Sequence, residues 1–346
     1  MKTLYKTRNM KKLLLLLLLF TGIANAQIVT IPDANFKAKL LAADTTNGIA
    51  QNFSDDNIKI DINNDGEIQV SEALVVKRLF LINDLIISDI TGLNSFSNLE
   101  ILMFFEPNIN VLNLNSLTNL KSLGLYSSEI LTELQINSLT NLEGIQISGL
   151  PLLTNIEVGN LINLKSFSSF FVPLTNLDLS GHTNLTTLQC QYNNLTNLNI
   201  NDCVNLSEIN CNNNYLSNLN GLSQNLTKLN CSGNLLTSLN LSGLPNLTEI
   251  DCSANKLNLF NINGLNNLSF LNCSNNQLLD LDVSSLTNLI LLNCTSNKLT
   301  NLNLSGLTNL DSLACSYNEL TELNVNNLTN LNMLYCFGNK FTSISI

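Results

Sequence analysis

Twelve consecutive residues in the first quarter of the chain place oxygen-bearing side chains at a regular spacing. Residues 61–72 read Asp-Ile-Asn-Asn-Asp-Gly-Glu-Ile-Gln-Val-Ser-Glu, with acidic or amide side chains at loop positions 1, 3, 5 and 12 and glycine at position 6. Calcium binds several oxygen ligands at once, and a glycine at the sixth position lets the chain turn sharply around the ion. The spacing therefore predicts a calcium-binding loop.

This segment resembles the calcium loop of the EF-hand. The resemblance implies side-chain oxygens from Asp61, Asn63 and Asp65, the backbone carbonyl oxygen of Glu67, and a bidentate carboxylate from Glu72.

The residues around the loop predict a single structural calcium site rather than a paired sensor. Residues 57–60 predict a short strand in place of a long incoming helix, and residues 71–78 predict the outgoing helix. The alternative is an ordinary Asp-Gly turn whose acidic side chains are solvated.

The cysteines form a second set with a fixed spacing. Equivalent atoms of neighbouring strands lie ~4.8 Å apart, whereas a disulfide requires Cβ atoms about 3.8 Å apart. Nine cysteines also leave at least one thiol unpaired within the chain. We predict a buried row of free thiols, with a metal cluster as the alternative. Cys203 lies outside this spacing. The eight cysteines that share it are Cys190, Cys211, Cys231, Cys252, Cys273, Cys294, Cys315 and Cys336.

Little in the sequence favours catalysis or nucleic-acid binding. The single histidine, His182, stands where the repeat described below carries a packing leucine, and no glycine-rich phosphate loop or metal-hydrolase motif is present. The formal net charge is −10 and aromatic residues make up 6% of the chain. A nucleic-acid binder would need clustered Lys and Arg or stacking aromatic residues. We therefore predict neither an enzyme nor a nucleic-acid partner.

The cysteines belong to a repeat of 20 to 22 residues. One copy reads Leu247-x-x-Ile250-x-Cys252-x-x-Asn255-x-Leu257, and its residues are numbered here from position 1 at Leu247. A degenerate copy begins near Val76, and the clear copies begin at Leu99, Leu120, Leu142, Leu164, Leu185, Leu206, Leu226, Leu247, Leu268, Leu289, Leu310 and Leu331.

The repeat predicts an α/β solenoid. Apolar positions 4 and 6 alternate with polar residues, so each copy predicts a short strand, and stacked copies predict one parallel sheet. Asparagine at position 9 turns the chain, and apolar positions 11, 14, 16 and 19 return it across the core. Such short units leave room for only extended or 3₁₀ backbone on the convex side. We predict about twelve units over 76–346, preceded by a small helical cap over 27–75 that contains the calcium loop.

The repeat resembles the leucine-rich repeat, and its cysteine variant resembles that of the internalin-type bacterial surface proteins. This resemblance covers about three quarters of the chain. It implies a secreted or surface-attached protein that binds host or matrix molecules through its concave sheet.

Residues 1–26 predict a secretory signal peptide. A basic start precedes the apolar segment 13–20, and Ala24-Asn25-Ala26 fits a cleavage site. The apolar segment is too short to span a bilayer comfortably, although an uncleaved anchor is the alternative. We predict an exported, acidic mature chain with no transmembrane segment. The last copy stops part-way at Ile346, which predicts that the chain is a fragment of a longer protein.

The outward-facing positions 3, 5 and 7 supply the candidate ligand-binding residues. Polar candidates occupy the middle of the sheet, namely Gln189, Glu208, Asn210, Asn230, Glu249, Asp251, Asn272 and Asn293. Apolar candidates lie near its start, namely Met103, Phe105 and Tyr126, and packing against the cap explains them equally well. Near its end, packing against a further segment is the favoured explanation for Met333, Tyr335 and Phe337.

The sequence predicts a non-catalytic recognition or adhesion protein that binds a protein or a glycan on its concave face. The alternative is a structural module of a larger surface assembly that has no ligand of its own.

Overall fold

The structure is a computed structural model that describes residues 27–82 and 86–345. The predicted signal peptide, residues 1–26, lies outside the described residues. No helix in the described ranges is long and apolar enough to cross a membrane.

One fourteen-stranded sheet runs the length of the described chain. Strand β1 (Ala50–Gln51) pairs antiparallel with β2 (Arg78–Leu81), and the strands that follow β2 pair in parallel. Equivalent residues of neighbouring copies are directly opposite one another, as Gln189 is to Asn210. The predicted fold class, a solenoid with a parallel concave sheet, is confirmed.

The parallel strands fall into two groups by length. The four after β2 have five residues each: β3 (Ile101–Phe105), β5 (Ser122–Tyr126), β7 (Gly144–Ser148) and β8 (Ser166–Phe170). The rest have three residues each: β10 (Thr187–Gln189), β12 (Glu208–Asn210), β13 (Lys228–Asn230), β14 (Glu249–Asp251), β15 (Phe270–Asn272), β16 (Leu291–Asn293), β17 (Ser312–Ala314) and β19 (Met333–Tyr335).

The convex side is extended, as the short units require. A 3₁₀ turn spans Leu93–Ser95. Three two-stranded sheets lie on this side, formed by β4 (Val111–Asn113) with β6 (Glu133–Gln135), β9 (Asn176–Asp178) with β11 (Asn197–Asn199), and β18 (Glu322–Asn324) with β20 (Ser343–Ser345).

A single core lies between the two sides. In the copy that begins at Leu268, the side chains at positions 1, 4, 6 and 11 are each 0% exposed. A copy of this size has no second layer of its own, so the neighbouring copies cover its apolar side chains.

The N-terminal cap closes the first end of this core. Helix α1 (Ala34–Leu41) begins after Asp33, whose Oδ1 accepts the Phe36 amide at 2.8 Å. Phe36 and Leu40 are fully buried on the helix face that packs on the core.

Two local predictions in the cap are wrong. The sequence predicts the outgoing helix over 71–78, but α2 spans only Val70–Ala73. The Lys77 amide donates to the Gln51 carbonyl at 2.8 Å, so the chain has already joined the sheet at that point. Residues 57–60 form a single bridge, between Gln51 and Asn57, in place of the predicted strand.

Candidate functional site

The predicted polar residues at position 5 form one column on the concave sheet. Their Cα atoms are paired in register from strand to strand, and their side chains are half-buried. The column, called the amide column below, consists of Gln189, Asn210, Asn230, Asp251, Asn272 and Asn293.

The asparagine and aspartate side chains of the amide column also close the turn after their strands, a role that the sequence reasoning missed. Asn230 Oδ1 accepts the Ser232 amide at 3.1 Å and the Ser232 hydroxyl at 2.7 Å. Asp251 Oδ1 accepts the same two groups of Ser253 at 3.0 and 2.6 Å. These are Asx turns, so the inner oxygen of each side chain is already bonded. Asn272 Nδ2 also donates to the outer oxygen of Asp251 at 3.1 Å, so a ligand would meet the remaining amide atoms of the other side chains.

Three charged side chains stand side by side at position 3. Glu208, Lys228 and Glu249 are opposite one another in register. Lys228 Nζ lies 2.8 Å from Glu249 Oε1, and this bond raises the pKa of Lys228. Within the described residues Glu208 has no ion-pair partner closer than 4 Å. Lys228 also attracts Glu208, so this one cation lies between two carboxylates.

The apolar candidates form a half-exposed patch near the start of the sheet. The Phe105 and Tyr126 rings stack with centroids 4.5 Å apart, and Tyr126 Oη lies 3.9 Å from Met103 Sδ. Gly124 leaves space for this arrangement, because a Cβ there would lie 2.3 Å from Met103 Sδ. Partial burial raises the pKa of Tyr126. The patch lies on the concave surface and offers a ligand apolar contact area.

The turn that ends each concave strand has one conformation throughout. In the copies from Leu99 to Leu331, position 8 has a φ between 51° and 69°, the left-handed region. Glycine or asparagine suits this region, but Phe171, Tyr192 and Tyr317 also adopt it. Their side chains are 64%, 48% and 57% exposed, respectively. Reading position 8 down the repeat would have found these aromatic residues, but not their conformation.

The cysteines at position 6 are buried beside a row of asparagines at position 9. Asn276 Nδ2 donates to the Cys252 and Cys273 carbonyls at 3.0 and 3.1 Å, and its Oδ1 accepts the Leu257 amide at 2.9 Å. Burial raises the pKa of Cys273 to about 12. A thiol with so high a pKa is a poor nucleophile near neutral pH. Seven of the eight position-6 thiols are buried, and Cys336 is partly exposed.

His182 packs between copies and shows no arrangement for proton transfer. It is 2% exposed, with Nδ1 2.8 Å from the Leu179 carbonyl and Nε2 3.1 Å from the Val158 carbonyl. Cys203 Sγ lies 3.0 Å from the same Leu179 carbonyl, and burial raises its pKa to about 11. His182 and Cys203 both stand at position 19 of their copies, where the repeat usually carries leucine, and both side chains hydrogen-bond to backbone carbonyls.

The predicted calcium loop folds around the carboxylates of its first and last residues. Asp61 accepts two loop amides, each at 3.2 Å, and Glu72 accepts three more at 2.8, 2.9 and 3.4 Å. Both carboxyl side chains are 6% exposed. Gly66 has a φ of 78°, the left-handed conformation needed for the sharp turn.

The middle donors of the loop lie on its exposed side. Asn63 Nδ2 donates to Asp65 Oδ2 at 3.0 Å, and the Glu67 carboxylate pairs with Lys37 at 2.7 Å. In the described ranges no three His, Cys, Asp or Glu side chains stand together as a metal site. A cation in this loop would therefore need amide and backbone oxygens besides the carboxylates. Such an all-oxygen set is the kind that calcium prefers.

Comparisons with known proteins agree with the architecture. No protein-family model matches the chain, and no curated protein matches it. The structure resembles the functional domain of InlJ from Listeria monocytogenes, which includes a cysteine ladder, with a TM-score of 0.68 and 28% identity. The fold is the leucine-rich-repeat fold. The match covers 92% of this chain and 63% of the InlJ chain, so this protein spans less than two thirds of that one.

Two further leucine-rich-repeat proteins show the same fold. An internalin, InlF, from Listeria monocytogenes has a TM-score of 0.63 at 21% identity, with 93% of this chain and 94% of that chain covered. The plant peptide hormone receptor RGFR1, solved in complex with RGF2, has a TM-score of 0.55 at 22% identity, with 80% and 54% covered.

Proposed function

We propose that this protein is an exported, non-catalytic recognition module that binds a protein ligand on its concave sheet. The observation that carries the proposal is the unbroken sheet, which presents half-buried side chains at the same positions in successive copies. InlJ and RGFR1 share the fold, and RGFR1 was solved with RGF2 bound.

The chemistry of the concave surface supports a protein rather than a small molecule. An apolar patch at Met103, Phe105 and Tyr126 is followed by the amide column and by the carboxylates of Glu208 and Glu249. Protein interfaces combine apolar and aromatic contact area with hydrogen bonds in this way.

The test compares two triple variants that carry the same added charge. The concave variant replaces Asn210, Asn230 and Asn272 with Arg, and the convex control replaces the exposed Asn197, Asn218 and Asn301 with Arg. Each purified protein is applied to an array of extracellular proteins and to an array of glycans.

We expect the wild type and the convex control to bind the same protein spots and the concave variant to lose them. Matching thermal midpoints would show that the concave variant still folds. Binding to glycans alone, or equal binding by all three proteins, would contradict the proposal. Absence of binding on both arrays would favour the structural-module alternative.

We further propose that loop 61–72 binds one calcium ion that stabilises the N-terminal cap. Support comes from the two buried carboxylates, Asp61 and Glu72, which face one loop whose other donors are also oxygens. A bound ion would link the start of the loop to α2 and so hold the cap on the first copy of the repeat.

Thermal unfolding with and without calcium tests this second proposal. About 1 mM calcium, in the range of extracellular sites, should raise the unfolding midpoint of the wild type. Glu72→Gln should remove the effect, whereas Glu67→Gln should keep it, because Glu67 would supply only its backbone carbonyl. A calorimetric titration with no heat, together with no stabilisation of the wild type, would reject the calcium site.

A further inference from the structure

The first residue after the predicted signal peptide has a fixed place in the fold. The carbonyl oxygen of Gln27 accepts the Val70 amide at 2.8 Å, and two residues later the Val29 amide donates to the Ile68 carbonyl at 2.8 Å. These two bonds form a short antiparallel bridge with the end of loop 61–72. Removal of the signal peptide would therefore leave the new amino end of the chain beside the proposed calcium site.

The fold holds Gln27 without occupying its backbone nitrogen or its side-chain amide. The side chain is exposed, and neither group forms a hydrogen bond to another described residue. Gln69, on the other side of the bridge, differs, because its side-chain amide bonds both Asn63 and Asp65 of the loop. The anchored atom of Gln27 is its carbonyl oxygen, so its nitrogen and its side chain are free to meet.

We propose that the exported protein begins with a pyroglutamate at position 27, an inference that rests on the export in the proposed function. After cleavage, the unprotonated α-amino nitrogen of Gln27 attacks Cδ of its own side chain. The new N–Cδ bond closes a lactam ring, the Cδ–Nε2 bond breaks, and Nε2 leaves as ammonia with one proton from the amine. One amide replaces another, so the step needs no oxidant, reductant or co-reactant.

Cyclisation would remove a positive charge from the neighbourhood of loop 61–72. Two lysines, Lys37 and Lys59, already bond side chains of this loop. An α-amine is mostly protonated at neutral pH, so an open Gln27 would add a third positive charge that repels a calcium ion in the loop. The lactam is neutral and keeps the backbone carbonyl oxygen, so the end of the chain stays paired with the cap.

Export of the complete precursor, residues 1–346, tests the proposal. The protein is produced in an exporting bacterial host, incubated overnight near neutral pH, and dimethylated on its free amines while still folded. Labelling before digestion prevents any later cyclisation of an open amino end. Tandem mass spectrometry should then find an amino-terminal peptide that starts at residue 27, carries no label on its α-nitrogen, and is lighter than its sequence by one ammonia.

The matched control is Gln27→Asn, whose side chain is shorter by one CH₂ group. Its cyclisation would require a smaller, strained ring, so we expect cleavage at the same bond, an unchanged mass and a labelled α-nitrogen. A wild-type chain that starts at residue 27 but carries the label would overturn the pyroglutamate and leave export intact. A chain that starts before residue 27 would instead contradict the export on which the inference rests.

The pairing with Val70 is tested by pyroglutamyl peptidase, which cleaves after an amino-terminal pyroglutamate. The carbonyl of the bond to be cut is held in the folded protein, as its 2.8 Å hydrogen bond shows. We expect the peptidase to release residue 27 from the isolated peptide 27–37 and to leave the folded protein intact. Equally fast release from both would show that the fold does not anchor the modified end.

Discussion

The two halves of the solenoid close the same turn in different ways. In the aromatic half, β3 to β8, the strands have five residues, and position 6 carries Phe104, Leu125, Ile147 or Ser169. In the cysteine half, β10 to β19, the strands have three residues and position 6 carries cysteine. Both halves nevertheless share the left-handed residue at position 8.

The comparison shows that the backbone turn is constant and that the polar side chain which supports it varies. In the cysteine half, asparagine at position 9 bonds four backbone groups, as Asn276 does. In the aromatic half, Ser128 does part of this work, since its Oγ donates to the Pro107 carbonyl at 2.6 Å and accepts the Leu131 amide at 3.2 Å. The strands of that half, β5 of the Ser128 copy included, also pair two further residues each.

The largest expected difference between the halves is their response to alkaline pH. Burial raises the pKa of Cys211 and Cys273 from 9.0 to about 12. Below pH 9 these thiols are neutral in the folded and the unfolded chain. Between pH 9 and pH 12 these thiols lose their protons in the unfolded chain but keep them in the folded chain. The free energy of unfolding therefore falls by at most about 1.4 kcal/mol per pH unit for each thiol.

Limited proteolysis between pH 8 and pH 11, with the cuts mapped by mass spectrometry, measures this response. We expect the first cuts to appear in the cysteine half as the pH rises. The aromatic half, where the described residues include no cysteine, serves as the internal control. Earlier cutting within 101–170 would contradict the comparison.

Removing one of the buried asparagines at position 9 should have the next largest effect on stability. Asn276→Ala deletes four buried hydrogen bonds and leaves backbone groups without partners. We expect a loss of about 3 kcal/mol in the free energy of unfolding, measured by urea denaturation. A loss under about 1 kcal/mol would mean that the row of position-9 asparagines adds little stability beyond that of the turn itself.

Exchanging the position-6 residue between halves should have an intermediate effect. Cys273→Leu places a side chain that Leu125 carries in the aromatic half, but the cysteine half is packed around smaller thiols. We expect overpacking to destabilise the protein by about 2 kcal/mol in urea denaturation.

The matched variant at this position is Cys273→Ser. Ser169 stands at position 6 with its Oγ accepting from Asn193 Nδ2 at 2.9 Å. Asn297 Nδ2, which donates to the Cys273 carbonyl at 3.0 Å, is placed to do the same for a serine at 273. We expect Cys273→Ser to lower the free energy of unfolding by about 1 kcal/mol, less than Cys273→Leu. A stable Cys273→Leu protein would show that the two halves are interchangeable at this position.

The smallest effect on stability is expected from a second row of asparagines, which lies on the surface. At the last position of the unit, Asn288 Nδ2 donates to the Asn266 carbonyl at 2.8 Å, and the side chain is exposed. Asn288→Ala should lower stability by about 0.5–1 kcal/mol, because water replaces the lost bond. If Asn288→Ala lowers the free energy of unfolding as much as Asn276→Ala does in the same urea series, burial does not distinguish the two rows of asparagines.

The sequence predicted the solenoid because one spacing recurs in many copies. Each copy is short, so its apolar positions can face only one core, and the buried position of the thiols followed from that. The start of α1 after Asp33 has a local cause as well, since the Asp33 carboxylate accepts the amide of Phe36 in the first turn of the helix.

Other features depend on contacts that a spacing does not contain. The double role of Asn230, facing the concave surface while closing an Asx turn, depends on where Ser232 folds back. The unbonded oxygens of Gln191 and Asn212 appear only once neighbouring copies are stacked. Helix α2 ends at Ala73 because Lys77 bonds to β1, a long-range contact that helix propensity does not report.

The measurement that tests the central claim most directly is a count of reactive thiols in the native and the unfolded protein, without reductant. If each copy is covered by its neighbours, brief alkylation of the folded protein should label Cys336 and leave the buried ladder thiols unmodified. Alkylation in denaturant should then label all nine cysteines. Rapid labelling of the ladder in the folded protein, or no further labelling after unfolding, would contradict the stacked core of free thiols.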